Sequence, residues 1–146
     1  MQTAKRTLLP MLVAVLAMTS AWAAGDDEAA KKELKQFQGN WKLVGGRGQD
    51  GNEITEVDRQ MTRLTVDGNK FTLTLDVKTK VNGTFKVDPA KTPHTIDVTL
   101  DGGQKMLGIY EIKAGIRKSC FADVGKERPA KFTTEKGYIT FEWKRE

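Results

Sequence analysis

This sequence predicts an all-β domain: a closed antiparallel barrel of eight or nine strands behind a short N-terminal helix. Three observations carry that expectation. Apolar and polar residues alternate with a period of two through most of the chain, as in Phe71, Leu73, Leu75 and Val77 against Thr72, Thr74, Asp76 and Lys78. Compact turn signals separate the alternating runs: Asp67-Gly68-Asn69, Asp101-Gly102-Gly103, Ala114-Gly115 and Lys136-Gly137. Only one stretch, near the N-terminus, has helical spacing. An alternating segment is a strand with one buried and one wet face, as antiparallel sheets require. Eight or nine of them at hairpin spacing make a barrel or a sandwich. Closure is favoured because it leaves no exposed edge.

Residues 1–23 read as a secretory signal peptide. Lys5 and Arg6 supply a charged start, Leu8 to Met18 a short apolar run, and Ala21-Trp22-Ala23 a small-x-small cleavage site. The apolar run is shorter than the roughly 20 residues of a membrane span. The expected mature domain is 24–146, exported to the periplasm or the medium, with no membrane span after cleavage.

The helix is expected over Asp26 to Gln38. Acidic residues stand at its start and Lys31, Lys32 and Lys35 further along, which suits the helix dipole. Ala30, Leu34 and Phe37 form one narrow apolar stripe, and Gly39 ends it as a C-cap glycine would. Strands are expected at 40–46, 61–67, 70–78, 80–88, 95–101, 104–113, 116–122, 130–134 and 138–144. The segment 47–60 fits neither period and reads as a long loop with a helical turn around Glu53 to Gln60. The strand from Gln104 to Lys113 is apolar on both faces: Met106, Tyr110 and Ile112 on one, Leu107 and Ile109 on the other. It must be covered on both, and the N-terminal helix is the expected outer cover.

Composition narrows the functions. With the signal removed, 22 basic and 19 acidic residues remain, a formal charge of +3 with both signs interleaved. No basic block with interleaved aromatics follows, which argues against nucleic-acid binding. Cys120 is the only cysteine, so no internal disulfide forms and Cys120 is expected as a small buried residue. The mature chain has one Ser (Ser119), one Cys and one His (His94). Nucleophilic catalysis needs a hydroxyl or thiol beside a base. Ser119 and Cys120 are strand neighbours facing opposite sides, and His94 sits in a proline loop. Asp88, His94 and Asp97 are too thin a set for zinc, and the Asp-Gly-Asn turns lack the calcium-loop pattern. No metal, cofactor or enzymatic activity is expected. Glu111 and Glu142, each on a strand, are the candidate carboxylates for general acid–base work. Glu142 is expected outside, and Glu111 under the helix, paired with a residue such as Lys35.

Gly39-Asn40-Trp41 resembles the Gly-x-Trp signature of lipocalins. That resemblance implies that Trp41 closes one barrel end and that Arg145 packs across it, a pairing cation–π attraction would explain. Four segments in order extend the likeness: KQFQGNWKLV (35–44), NGTFKVDPAKTPHTID (82–97), LGIYE (107–111) and CFADVGKERP (120–129). Together they resemble a family of small exported domains of uncharacterised function, abundant in planctomycete bacteria and regarded as lipocalin-like. The chain departs from it at AGIRKS (114–119), where the resemblance implies an aspartate-glycine turn and a more apolar strand.

That departure holds the sharpest ligand signal. Arg117 and Lys118 are adjacent on a strand, so one of them faces the interior. If Cys120 is inward, so is Lys118; if Phe121 is inward, so is Arg117. An inward cation needs an internal carboxylate or the head group of an anionic ligand, unless it sits at the mouth and snorkels into water. Lys126 and Arg128, in the charged loop Gly125 to Pro129, either grip an anionic group at the rim or fold back onto the domain. With Tyr110 these make the candidate ligand-binding set. The large inward residues Phe71, Phe85, Phe141 and Trp143 point to a narrow or filled interior. The expected function is an exported, non-enzymatic, monomeric barrel for a small apolar or anionic ligand. The alternative is a module that binds an envelope protein through loops 47–60, 88–95 and 122–130.

Overall fold

The computed structural model describes residues 21–146. The expected signal peptide lies outside the described residues except for its last three positions. Helix α1 (Ala21–Phe37) leads into β1 (Gly39–Arg47), followed by a short helix α2 (Glu56–Met61). Seven strands follow: β2 (Arg63–Asp67), β3 (Lys70–Thr74), β4 (Lys80–Asp88), β5 (His94–Leu100), β6 (Lys105–Lys113), β7 (Ile116–Ala122) and β8 (Tyr138–Arg145). Neighbours in sequence pair antiparallel, and β1 pairs with β8, so the sheet closes as an eight-stranded barrel.

The expected ninth strand, 130–134, is absent. β7 is already paired along one edge with β6 and along the other with β8, so no edge is free to accept it. The connection 123–137 instead forms a strap over the outer wall. Pro129 is buried in it. Arg128 pins it, donating from Nη1 to the carbonyls of Gly108 (2.7 Å) and Ile96 (3.3 Å) and from Nη2 to Asp97 (2.5 Å). The Thr133 carbonyl faces Cys120 Sγ at 4.0 Å. Lys118 Nζ lies 5.1 Å from the centre of the Phe132 ring.

The strap also corrects the expected cover of β6. Ile109, Cys120 and Ala122 point outward and are all but fully buried, on the wall that the strap crosses. Glu111 is consequently exposed rather than beneath a helix. Among the described residues it forms no ion pair with Lys35. Helix α1 does something else: it caps one end of the barrel. Its last residue, Phe37, is 1% exposed and packs tilted against Phe85 and edge-to-face with Tyr110 at centroid distances of 5.3 and 5.0 Å. The helix begins earlier than the sequence suggests and stops at Phe37, where Gly39 takes φ +105°.

Two further boundaries move for local reasons. β3 ends at Thr74, short of the expected 78, because Asp76 accepts hydrogen bonds from the backbone N–H groups of Lys78 and Thr79 and turns the chain. β2 begins at Arg63 because Thr55, the N-cap of α2, accepts from the Asp58 N–H and carries the helix through Met61. Gly108 is a point of close approach in the wall. A Cβ there would sit 2.5 Å from a ring carbon of Phe121 and 2.8 Å from the Cys120 carbonyl, so β6 and β7 approach as closely as they do only with glycine.

Candidate functional site

The inward side chains are not buried evenly along the barrel axis. At the end capped by α1, Phe37, Trp41, Val66, Val87, Tyr110 and Trp143 are all below a tenth exposed. At the other end the inward residues Leu73, Val81, Leu100, Met106 and Ile139 are only half-buried. The interior is therefore closed at a floor and reached from a mouth. Between them lies a cavity of about 200 Å³. Its walls are apolar, with Tyr110, Arg117 and Ser119 as the polar residues lining it.

Trp41 sits at the floor as the sequence suggests. Its Nε1 donates to the Phe37 carbonyl at 2.9 Å, which ties β1 to the helix end. The guanidinium carbon of Arg145 lies 4.8 Å from the centre of the indole, and Arg145 Nη2 donates to the Gln36 carbonyl at 2.7 Å. Gln38 clips the helix to the β2–β3 turn, donating to the Gly68 carbonyl and accepting from the Gly68 N–H.

Arg117, not Lys118, is the inward cation. Phe121 faces in, so Arg117 faces in with it and Lys118 faces out. Arg117 does not snorkel at the mouth. It is 5% exposed, at the start of β7, beside the capped end. Its guanidinium carbon lies 4.7 Å from the Phe37 ring centre and 4.6 Å from that of Trp41. Its Nη1 is buried without a hydrogen-bond partner among the described residues. The ion pairs among those residues leave it out. Burial, reinforced by the like charge of Arg145, pushes its pKa down to about 9. It still carries its charge at neutral pH.

The carboxylate that reaches Tyr110 comes from the helix. Glu33 of α1 accepts from the Tyr110 hydroxyl at 3.0 Å and from Gln36 at 3.1 Å. Burial first, then the Glu33 charge, pushes the Tyr110 phenol well above its ordinary range, so it stays a neutral donor. The His94 ring rests on Tyr110 at 5.4 Å, and its Nδ1 meets the Lys91 carbonyl at 2.9 Å. Ser119 stands two residues from Arg117 along β7, roughly 7 Å nearer the mouth.

The other candidates disperse. Lys126 is exposed in the strap, and Arg128 is consumed in pinning it. Lys118 borders a larger polar groove on the outer wall with Arg47, Arg59, Lys131, Glu53 and Glu142. Two of those cations are already committed: Arg47 to Gly51 and Glu53, Arg59 to Ile54. Burial pushes the Cys120 thiol up, and it faces the strap rather than the interior. Glu33 was the residue the sequence did not flag. Its only signal is its place one position before Leu34 of the apolar stripe.

Comparison with protein-family models, with curated proteins and with solved structures gives no match, so the site is read from its own geometry.

Proposed function

We propose that this chain is an exported, non-enzymatic binding barrel that holds one small ligand in its interior. The reading rests on one observation: an apolar cavity, sealed at a helix-capped floor and reached through a half-exposed mouth. Well-packed interiors rarely leave voids larger than a water, so a cavity of about 200 Å³ is a feature to explain. The inventory of nucleophiles supports a carrier over a catalyst. Ser119 faces in, Cys120 faces out, and the only histidine is stacked on Tyr110. The reading includes kinship with the lipocalin-like exported domains that segments 35–44, 82–97, 107–111 and 120–129 resemble; that kinship supports a barrel and leaves the ligand open.

Native mass spectrometry of the protein purified from its own exported fraction tests the proposal. The expected result is a discrete added mass that disappears on denaturation. A clean unliganded mass, with no uptake of small apolar or anionic compounds, would overturn it.

A second reading has its own observation. Val57, Met61, Leu75, Val77 and Val124 are exposed, and all stand on connections at the mouth end. Such a rim suits a protein partner in the envelope. Cross-linking from a probe at position 77 to a single envelope protein, lost in V57S/V77S, is the result expected of that reading.

A further inference from the structure

We propose that the ligand is a compact organic carboxylate, held head-down with its anionic group on Arg117 and its apolar body toward the mouth. The proposal deepens the binding reading above and rests on it. The argument starts from an unbalanced charge. A cation inside an apolar interior is costly unless it is paired, and Arg117 is paired with no carboxylate among the described residues. Phe37 and Trp41 compensate it in part through their ring faces. They cannot accept its N–H hydrogen bonds in the ring plane, and Nη1 keeps none. The group is at the same time held rigidly, between a helix end and β1. A pre-positioned, unpaired guanidinium lining a cavity is a receptor for an anion.

Geometry and charge narrow the class. The planar guanidinium fork matches the planar carboxylate oxygens. Among the described residues lining the cavity Arg117 is the one cation, since Arg145 is outside on Gln36 and Lys118 faces the strap. A dianionic phosphate would keep one charge unbalanced in an apolar chamber, whereas a carboxylate is neutralised. Ser119, nearer the mouth on the same lining, is placed to donate to a polar atom further along the ligand. Size sets the body. A cavity of about 150 Å³ holds benzene, so about 200 Å³ accepts a body of roughly eight non-hydrogen atoms. That is a medium-chain or aryl acid rather than a long lipid.

Calorimetric titration of the unliganded protein with octanoate and with 1-octanol at neutral pH tests this. Octanoate is expected to bind at least tenfold more tightly than the alcohol. In R117M octanoate is expected to lose at least tenfold while 1-octanol binds as before or better, which also shows that the variant is folded. Should R117M not fold, R117K keeps the charge and loses the fork, and the acid-over-alcohol ratio is expected to fall with it. Along the acid series, affinity is expected to rise about fourfold per methylene up to eight or ten carbons and then level off. Equal binding of octanoate and 1-octanol by the native protein overturns the head-down acid and leaves the binding barrel standing. A fourfold gain continuing to sixteen carbons overturns the compact body. Binding of neither compound, together with a clean unliganded mass, overturns both this proposal and the reading beneath it.

Discussion

The two ends of this barrel are built on different rules. At the floor, separate elements converge on one aromatic cluster: α1 through Phe37, β1 through Trp41, β6 through Tyr110, and β7 and β8 through Arg117 and Arg145. Each polar group there except Arg117 has a hydrogen-bonded role. At the mouth, the inward residues are half-exposed and the connections carry exposed apolar side chains, Val77 being 93% exposed. The contrast separates two tasks that the proposed binding role would have to combine. A charge that meets a ligand must be held still, because its orientation is its specificity. The entrance must yield, because a ligand has to pass it.

The largest expected effect would break this contrast at the floor. Trp41→Ala removes the platform beneath two guanidinium groups and should cost about 3–5 kcal/mol, measured by urea unfolding. A loss under about 1 kcal/mol would mean that the capped end is not where stability is concentrated. Next is the strap. Arg128→Met leaves the Ile96 and Gly108 carbonyls and Asp97 without their donor, at a cost of about 1–3 kcal/mol. It should also speed alkylation of Cys120, which the native strap shields. An unchanged alkylation rate would show that the wall is sealed without it.

Smaller changes sharpen the comparison. At the floor-side β6–β7 turn, Ala114 holds φ +53° followed by Gly115 at +77°. This is a left-handed pair that suits asparagine-glycine or glycine-glycine better. Ala114→Gly should therefore stabilise the protein by about 0.5–1 kcal/mol, read as a rise in Tm. At the mouth, backbone N–H groups of Lys78 and Thr79 hold the Asp76 carboxyl below its ordinary 3.8. An acid whose folded pKa is lowered contributes stability above the ordinary value and loses it as pH falls through the folded one. Protection factors of the Lys78 and Thr79 amides, corrected for intrinsic exchange, should fall as pH drops below the ordinary 3.8 while the floor amides keep theirs. The smallest effect should come from Val77→Ser, within about 0.5 kcal/mol. If it cost as much as the floor substitution, the two ends would not differ as described.

Much of this was legible in the chain, for identifiable reasons. Period-two alternation, with the turn signals between the runs, located the strands, because in a closed barrel a strand has one inner and one outer face, and β6 stood out by breaking the alternation. The Trp41–Arg145 pair was readable from a junction motif and one residue near the C-terminus. What parity could not decide was whether Arg117 or Lys118 points inward. β6 and β7 are largely buried on both faces, since Ile109, Cys120 and Ala122 are covered by a strap from outside the barrel. The strap was itself misread as a strand at 130–134, because apolar residues that pack down on a wall alternate much as strand residues do. Helix α1 has a single apolar stripe, which fits a barrel end as well as a barrel side. The stripe alone does not choose between them.

One consequence of the floor is optical. Trp41 lies against the Arg117 guanidinium, and Trp143 lines the cavity above it. An indole's emission follows the electric field across its ring. Neutralising a charge 4.6 Å away changes that field, whereas filling the chamber with hydrocarbon mainly alters the surroundings of Trp143. Tyrosine-free excitation of these two residues would thus register a bound acid and a bound neutral molecule as different spectra. On the proposed binding reading, these two indoles would be a two-channel reporter of occupancy, one channel for charge and one for bulk.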